Sequence, residues 1–245
     1  MRGGGEDMRA QLYLDNQARK MLKEPFETFA KTYDERIIPI FSSLGEETHT
    51  IAETKHKALA ENFNPELEDP GEYAVMAWEA GLEHYESMSL MQYNMRLMWI
   101  STLYQFWEQQ VRKFVFEEGT RTHKFIDKKG NVIDFESFCA RGIDDIKDAF
   151  NKFGQDLEKL KSWPKIEELR LLANVIKHGE GRSSKNLKRL RPDYFDAGII
   201  SADLLGLYKT TLGERVLNIE DSEYKIYCDA ILEFWDELPD MLTFK

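Results

Sequence analysis

The feature that most constrains the fold is an apolar stretch at residues 87–118. Its large side chains are distributed around nearly the whole circumference of a helix: Leu90, Leu97, Leu103, Phe106, Trp107, Val111 and Phe114. A helix that is apolar on most faces needs a packing partner on each of them. Polar residues interrupt the stretch too often for a membrane span, which needs about 20 apolar residues in a row. The sequence therefore predicts a central core helix and no membrane association.

Helical spacing of apolar residues recurs along the rest of the chain. It predicts further helices at about 7–23, 25–44, 48–62, 72–84, 135–153, 165–178 and 222–238. Strand signals are few: residues 129–131 can close a small hairpin, and residues 207–219 can form another around Gly213. The predicted fold class is all-α, an antiparallel helical bundle with at most one short β-hairpin.

The clearest break in the first half of the chain is the run of helix-breaking residues from Asn64 to Gly71, which includes Pro65 and Pro70. It divides the chain into an N-terminal helical subdomain, residues 1–68, and a helical bundle, residues 69–245. One continuous domain is the alternative, because 245 residues lie within the range of a single domain.

Charge and cysteine content exclude several classes of function. With 33 basic and 44 acidic residues the formal net charge is −11, so any contact with nucleic acid must be local. Cys139 and Cys228 are far apart and form no metal-ligand pair, which favours a reduced, cytoplasmic protein. The chain has no glycine-rich phosphate loop and no nucleophile elbow. We expect neither a metal nor an organic cofactor.

A polar stripe on the predicted helix at 165–178 is the first candidate site. Arg170, Asn174 and His178 follow one another at four-residue steps and so share a face. The opposite face is apolar and should hold the helix in the core. Gly179 and Gly181 end the helix, which places His178 in the last turn, where the partial negative charge of the carbonyl groups favours a cation. An imidazole in that position is suited to proton transfer at a phosphate.

A basic loop follows the helix and completes the candidate site. It carries Arg182, Lys185, Lys188, Arg189 and Arg191, with no carboxylate between residues 181 and 192, and Lys177 precedes it. In an acidic chain such a cluster predicts a focused positive patch for the phosphates of RNA or of a nucleotide. The alternative is structural: the histidine caps the helix, and the loop cations complement its dipole.

The segment LANVIKHG, residues 172–179, resembles the HEPN superfamily. The signature of that family is an Arg, commonly followed by Asn, Asp or His, and then a His after four to six residues in total. Asn174 and His178 match the Asn and the His. Ala173 stands where the family has its Arg, and Arg170 lies outside the usual spacing, so the role of that Arg falls to Arg170, to Arg182 or to no residue.

The resemblance implies an all-α protein that often forms a homodimer, in which two such helices face each other. Active members are metal-independent endoribonucleases, frequently toxins or phage defence effectors. In them the His assists proton transfer at the RNA 2′-hydroxyl and the Arg steadies the phosphate. Inactive members bind RNA, nucleotides or proteins. We therefore expect an RNA- or nucleotide-binding protein, with ribonuclease activity left open. The alternative is a non-catalytic helical module that binds a partner protein.

Overall fold

The computed structural model describes residues 11–61, 63–64, 68–122, 124–127, 129–196 and 203–244. The fold is all-α, as predicted, with one small antiparallel sheet. The strands are β1 (Gln11–Tyr13) and β2 (Met241–Thr243). The helices are α1 (Asn16–Thr32), α2 (Leu44–Ala60), α3 (Pro70–Thr122), α4 (Phe135–Cys139), α5 (Ile143–Lys152), α6 (Trp163–His178), α7 (Arg182–Leu190), α8 (Leu204–Tyr208) and α9 (Ser222–Glu237).

The central helix is confirmed and is longer than predicted. The two helices expected at 72–84 and 87–118 are one helix, α3, of 53 residues and about 80 Å. The expected break is absent because neither Gly nor Pro lies between residues 82 and 118. Gly81 serves packing instead: a Cβ there would lie 2.9 Å from the Thr48 carbonyl oxygen of α2.

The core forms where α6 and α9 pack against α3. Trp107 of α3 is fully buried, and its ring meets Phe234 of α9 edge to face, with the ring centroids 5.3 Å apart. Leu169 and Leu172 of α6 are also fully buried. Burial on this scale supplies most of the free energy that holds such a bundle together, so α6 is fixed along its length.

The two ends of the described chain meet in the sheet. Leu12 of β1 pairs with Leu242 of β2, and both side chains are buried. Arg19 of α1 forms an ion pair with Asp240, 2.8 Å away, and Lys23 forms one with Asp236 of α9 at 2.6 Å. No helix in the described part of the chain is long and apolar enough to cross a membrane.

Three predictions about helix boundaries in the first half of the chain are wrong. Residues 11–13 are a strand rather than part of a helix from residue 7, and residues 1–10 lie outside the described residues. The helix begins after Asp15, whose carboxylate accepts a hydrogen bond from the Ala18 N–H at 2.7 Å. Pro25, where a second helix was predicted to begin, lies inside α1. Gly45, directly after the predicted end of that helix, lies inside α2. At these positions tertiary packing outweighs the local helix propensity of the residues.

Two further predictions are corrected in the second half. The predicted helix 135–153 is two helices, α4 and α5, because Gly142 adopts an extended conformation between them. The hairpin predicted at 207–219 does not form; the segment contains the end of α8 and then irregular backbone. Its polar groups find partners outside a sheet, as when the Asn218 N–H donates to the Tyr194 carbonyl at 2.8 Å. Near residues 129–131 the structure has a single bridge, Ile126 to Val132.

Candidate functional site

His178 ends α6, as the sequence predicts. The Gly179 N–H donates to the Val175 carbonyl at 2.8 Å, and Gly179 has a φ of +69°, a conformation that L residues rarely adopt. A Cβ at this position would also collide with the Lys209 carbonyl oxygen. Glycine is therefore required, and the chain turns sharply away from the helix axis directly after His178.

The buried face of α6 fixes the polar stripe on its other side. The apolar residues of the predicted inward face are all buried: Ile166, Leu169, Leu172, Ala173 and Ile176. On the polar stripe, Arg170 and Asn174 are half-buried, whereas His178 is exposed. The rigid helix thus presents Asn174 and His178 one turn apart.

Arg170 is held away from His178. Its Nε donates to the Glu167 carboxylate at 2.7 Å, and Glu167 lies one turn toward the start of α6, the direction opposite to His178. Along the axis, Arg170 and His178 are separated by about 12 Å. The hydrogen bond to Glu167 raises the pKa of Arg170. Asn174 therefore lies one helical turn from each of the other two residues, whereas Arg170 and His178 stay two turns apart.

The basic segment after Gly181 is a helix, α7, and the predicted loop is wrong. The Ser184 hydroxyl accepts a hydrogen bond from the Gly181 N–H at 3.0 Å and donates to the Gly181 carbonyl at 2.8 Å, which closes the first turn. Ser184 and Leu187 are buried against the rest of the protein. These two inward positions turn the charged residues of α7 outward.

Three cations form one exposed surface on α7, which we call the α7 cationic face: Arg182, Lys185 and Arg189. Steps of three and four residues place them side by side. Among the described residues, none of these side chains has an ion pair or hydrogen-bond partner, and the same holds for the exposed Lys177 and His178. The one carboxylate between His178 and Arg182, that of Glu180, is paired with Lys209 at 2.6 Å.

Lys188 is also exposed but is engaged within the protein. Its Nζ lies 2.9 Å from the Asp203 carboxylate and 5.7 Å from the centre of the Phe195 ring. The hydrogen bond from Lys188 lowers the pKa of Asp203. Asp203 in turn accepts a hydrogen bond from the Gly206 N–H at 3.1 Å and so caps α8. Lys188 therefore links α7 to the start of α8.

Arg191 points into the protein rather than to its surface. Its guanidinium donates to Glu168 at 2.7 Å, to Glu223 at 2.6 Å and to the Tyr194 hydroxyl at 2.6 Å. It also contacts the Asp193 carboxylate at 2.7 Å. Burial alone would lower the pKa of Arg191, but these carboxylates outweigh that effect and raise it. Arg191 thus joins α6, α7 and α9 in one half-buried ionic network, in which Lys165 also pairs with Glu168 at 3.0 Å.

Sequence reasoning missed the partners of Arg191. One signal was present: Glu168 lies within the apolar sector of α6, between Ile166 and Leu169, and a carboxylate there needs a buried partner. The Tyr227 hydroxyl donates to Glu168 at 2.9 Å and is also 2.9 Å from the Tyr194 hydroxyl. Nothing in the spacing pointed to these two tyrosines, since their approach depends on the packing of α9.

Within the described residues, no group of three or more His, Cys, Asp and Glu side chains is arranged to hold a metal ion. The structure thus defines an all-α protein that has an exposed cationic helix face beside a helix-terminal histidine. A comparison with protein-family models, curated proteins and solved structures finds no match for the chain. The HEPN resemblance stays a prediction that depends on Asn174, His178 and the helix that carries them.

Proposed function

We propose that the protein binds RNA through its phosphate backbone, at the α7 cationic face together with Lys177 and His178. The observation that carries this proposal is the lack of any carboxylate partner for these cations among the described residues, in a chain of net charge −11. Some cations elsewhere are neutralised by ion pairs, as Arg96 is by Asp221, whereas the α7 cationic face holds three unpaired cations within eight residues. An unneutralised cluster keeps a local positive potential that attracts phosphate.

The spacing of the face favours a chain of phosphates over a single nucleotide. Arg182 and Arg189 are seven residues apart, which is about 10 Å along α7. Phosphate contacts from Arg and Lys fix the position of a nucleic acid without reading its sequence. We therefore propose binding that depends little on RNA sequence and strongly on salt.

Fluorescence anisotropy with a labelled single-stranded RNA tests the proposal. The variant Arg182→Ala/Lys185→Ala/Arg189→Ala should bind at least about tenfold more weakly. The slope of log K against log salt should become shallower by about 2, since each lost phosphate contact contributes about 0.7 for single strands. The control is Lys20→Ala/Lys55→Ala/Lys57→Ala, which removes three exposed cations elsewhere. If both variants lose the same affinity, only net charge matters and the proposed site is wrong.

We propose metal-independent endoribonuclease activity as a second function of the same site. It is favoured by the exposed, unpaired ring of His178, one turn from Asn174 and next to the cationic face. His178 would take the proton of a 2′-hydroxyl, whose oxygen attacks the adjacent phosphorus; the 5′-oxygen then leaves with a proton from water. Lys177 or Arg182, the two unpaired cations nearest to His178 along the chain, would steady the phosphate, and such a group lowers the barrier by about 3–4 kcal/mol in sites of this type.

Incubation of the purified protein with RNA in the presence of a chelator tests this second function. His178→Ala should abolish cleavage, and it should leave RNA affinity within about twofold of wild type because the proposed phosphate contacts are made mainly by Lys177 and the α7 cationic face. His49→Ala, which removes another exposed histidine, is the matched control. Cleavage by His178→Ala at the wild-type rate would exclude the mechanism, whereas RNA binding without any cleavage would leave the protein in the non-catalytic class.

Three finer expectations belong to the same proposal: a homodimer in which two α6 helices face each other, a cytoplasmic location, and a role as a toxin or phage defence effector. The free thiols of Cys139 and Cys228 are compatible with a reducing compartment. Sedimentation analysis tests the dimer. Induced expression in bacteria, with His178→Ala as the control, tests toxicity.

A further inference from the structure

An exposed apolar stripe runs along the first third of α3. Val75, Trp78 and Tyr85 are 53%, 63% and 44% exposed, and Leu82 between them is half-buried. We call these four residues the arm stripe; their steps of three, four and three residues place them on one face. The side of α3 that packs against α2 carries other residues, among them Ala77 and Gly81, both buried. The arm stripe is therefore a second face of the same segment.

The arm stripe continues the core-facing side of α3. Continuing at three- and four-residue steps from Tyr85, the same face carries Ser89, Tyr93, Arg96, Ile100, Leu103 and Trp107. In that part of α3 the apolar members are buried beneath the bundle. One helix face is thus covered by helices over part of its length, whereas the described part of the chain leaves the arm stripe open. A surface-exposed apolar stripe of this kind is typical of a protein interaction site.

Four glutamates lie along one edge of the arm stripe: Glu72, Glu79, Glu83 and Glu86. We call them the acidic flank. All four are exposed, and none has an ion pair with a described residue. At about 100° per residue, they occupy a sector next to that of Trp78 and Leu82. The segment therefore offers an apolar stripe and a row of uncompensated negative charges, side by side and over about 20 Å.

We propose that the arm stripe binds an amphipathic α-helix of a partner protein, whose apolar face covers Trp78 and Tyr85 and whose Lys or Arg residues meet the acidic flank. A helix is the fitting occupant because helices already cover the same face farther along α3, and helix-in-groove recognition uses anchors at these spacings. Charge decides the partner: a second copy of this chain would place one acidic flank against another, and an anionic membrane would repel it. This interaction is independent of RNA binding.

The probe is a labelled synthetic helix of about 14 residues, whose length of about 21 Å matches the segment, with Leu on one face and Lys on its flanks. The same peptide with every Lys replaced by Glu is the charge control. The Lys peptide should bind the full-length protein at least about tenfold more tightly than the Glu peptide. Binding should also shield Trp78 from acrylamide quenching, since Trp107, Trp163 and Trp235 are already buried and Trp99 is half-buried in the bundle, away from the arm stripe.

Two variants separate the apolar and the charged parts of the surface. Trp78→Ser/Tyr85→Ser should weaken binding of the Lys peptide at least about tenfold, because aromatic anchors dominate such interfaces. Glu79→Lys/Glu86→Lys should reverse the preference between the two peptides. The matched controls should change neither: Met91→Ser/Met98→Ser removes exposed side chains from another face of α3, and Glu24→Lys/Glu27→Lys makes the same charge change on α1.

Three results would overturn the proposal. The first is equal binding of both peptides, or binding that the Trp78→Ser/Tyr85→Ser change leaves intact. The second is a dimer of the wild-type protein that this double variant dissociates, which would make a second copy the occupant. The third is Trp78-dependent binding to lipid vesicles. Far-ultraviolet circular dichroism and the urea midpoint serve as the folding check, because substitutions at exposed positions of α3 should leave both close to wild type.

Discussion

At the scale of single residues, the cations from 182 to 191 divide into three groups that sequence alone does not separate. Arg182, Lys185 and Arg189 face solvent without partners among the described residues. Lys188 is exposed but paired with Asp203, whereas Arg191 lies in a half-buried network with Glu168 and Glu223. The difference follows from the pitch of α7 and the turn after it, neither of which is visible in a count of charges. The proposed role in RNA binding and a role in stability therefore fall to neighbouring residues.

Arg191→Ala should lower the free energy of unfolding by about 1–3 kcal/mol, because it leaves the half-buried Glu223 without its ion-pair partner and leaves the buried Glu168 with Lys165 alone. Lys188→Ala, which breaks the exposed pair with Asp203, should change it by at most about 1 kcal/mol. Urea unfolding of both variants is the measurement. An equal effect of the two substitutions would show that the Arg191 network contributes no more than a surface ion pair.

The same network predicts a dependence of stability on pH. Burial works to raise the pKa of Glu223, but the hydrogen bond from Arg191 outweighs it and holds the pKa below its ordinary value; Arg191 also lowers the pKa of Asp193. Because the unfolded chain binds protons at higher pH than the folded one, this stabilisation is complete above about pH 5 and is lost as the pH falls through the folded pKa values. The difference in unfolding free energy between wild type and Arg191→Ala should accordingly shrink between about pH 7 and pH 3.

At the scale of helices, the sequence predicted what depends on local spacing. The central position of α3, the inward face of α6 and its end at Gly179 follow from periodicity and from the conformational freedom of glycine. The helix α7 was missed because Ser184 and Leu187 alone face inward, too few to produce a periodic pattern. Short helices of this kind owe their stability to tertiary packing. The pairing of Arg191 with Glu168 was likewise inaccessible, since it joins two helices at a contact that only the fold creates.

The packing of α2 on α3 can be tested by replacing two glycines with alanine, one at the contact between the helices and one away from it. Gly81→Ala places a Cβ within 2.9 Å of the Thr48 carbonyl and 3.2 Å of the Ala52 Cβ, and so should lower the free energy of unfolding by about 1–3 kcal/mol. Gly45→Ala meets nothing within 4 Å and should raise it by about 0.5 kcal/mol through the lower backbone entropy of the unfolded chain. Hydrogen exchange should show the loss of protection in Gly81→Ala concentrated in α2. Changes of the same sign in the two variants would contradict this account.

At the scale of the whole molecule, charge and connectivity are arranged unevenly. A net charge of −11 coexists with a cationic face on α7 and with an acidic flank on α3, so two surfaces of opposite sign are available to different partners. Connectivity is equally non-local: β1 and β2 are three residues each, and they pair residues that lie 230 positions apart, as Leu12 and Leu242 do. No sequence pattern predicts such a pair, because each strand is too short to show alternation of apolar and polar residues and its partner strand lies near the other end of the chain.

The pairing of β1 with β2 should couple the first helix to the last. Leu242→Ala removes a buried side chain beneath the sheet and should lower the free energy of unfolding by about 2–5 kcal/mol. Met241→Ala changes an exposed neighbour on the same strand and should stay within about 0.5 kcal/mol of wild type. Because α1 is tied to α9 by the sheet and by two ion pairs, far-ultraviolet circular dichroism and tryptophan fluorescence should report one coincident urea transition in the wild-type protein. A separate early transition in the wild type would instead indicate that residues 1–68 unfold as their own unit.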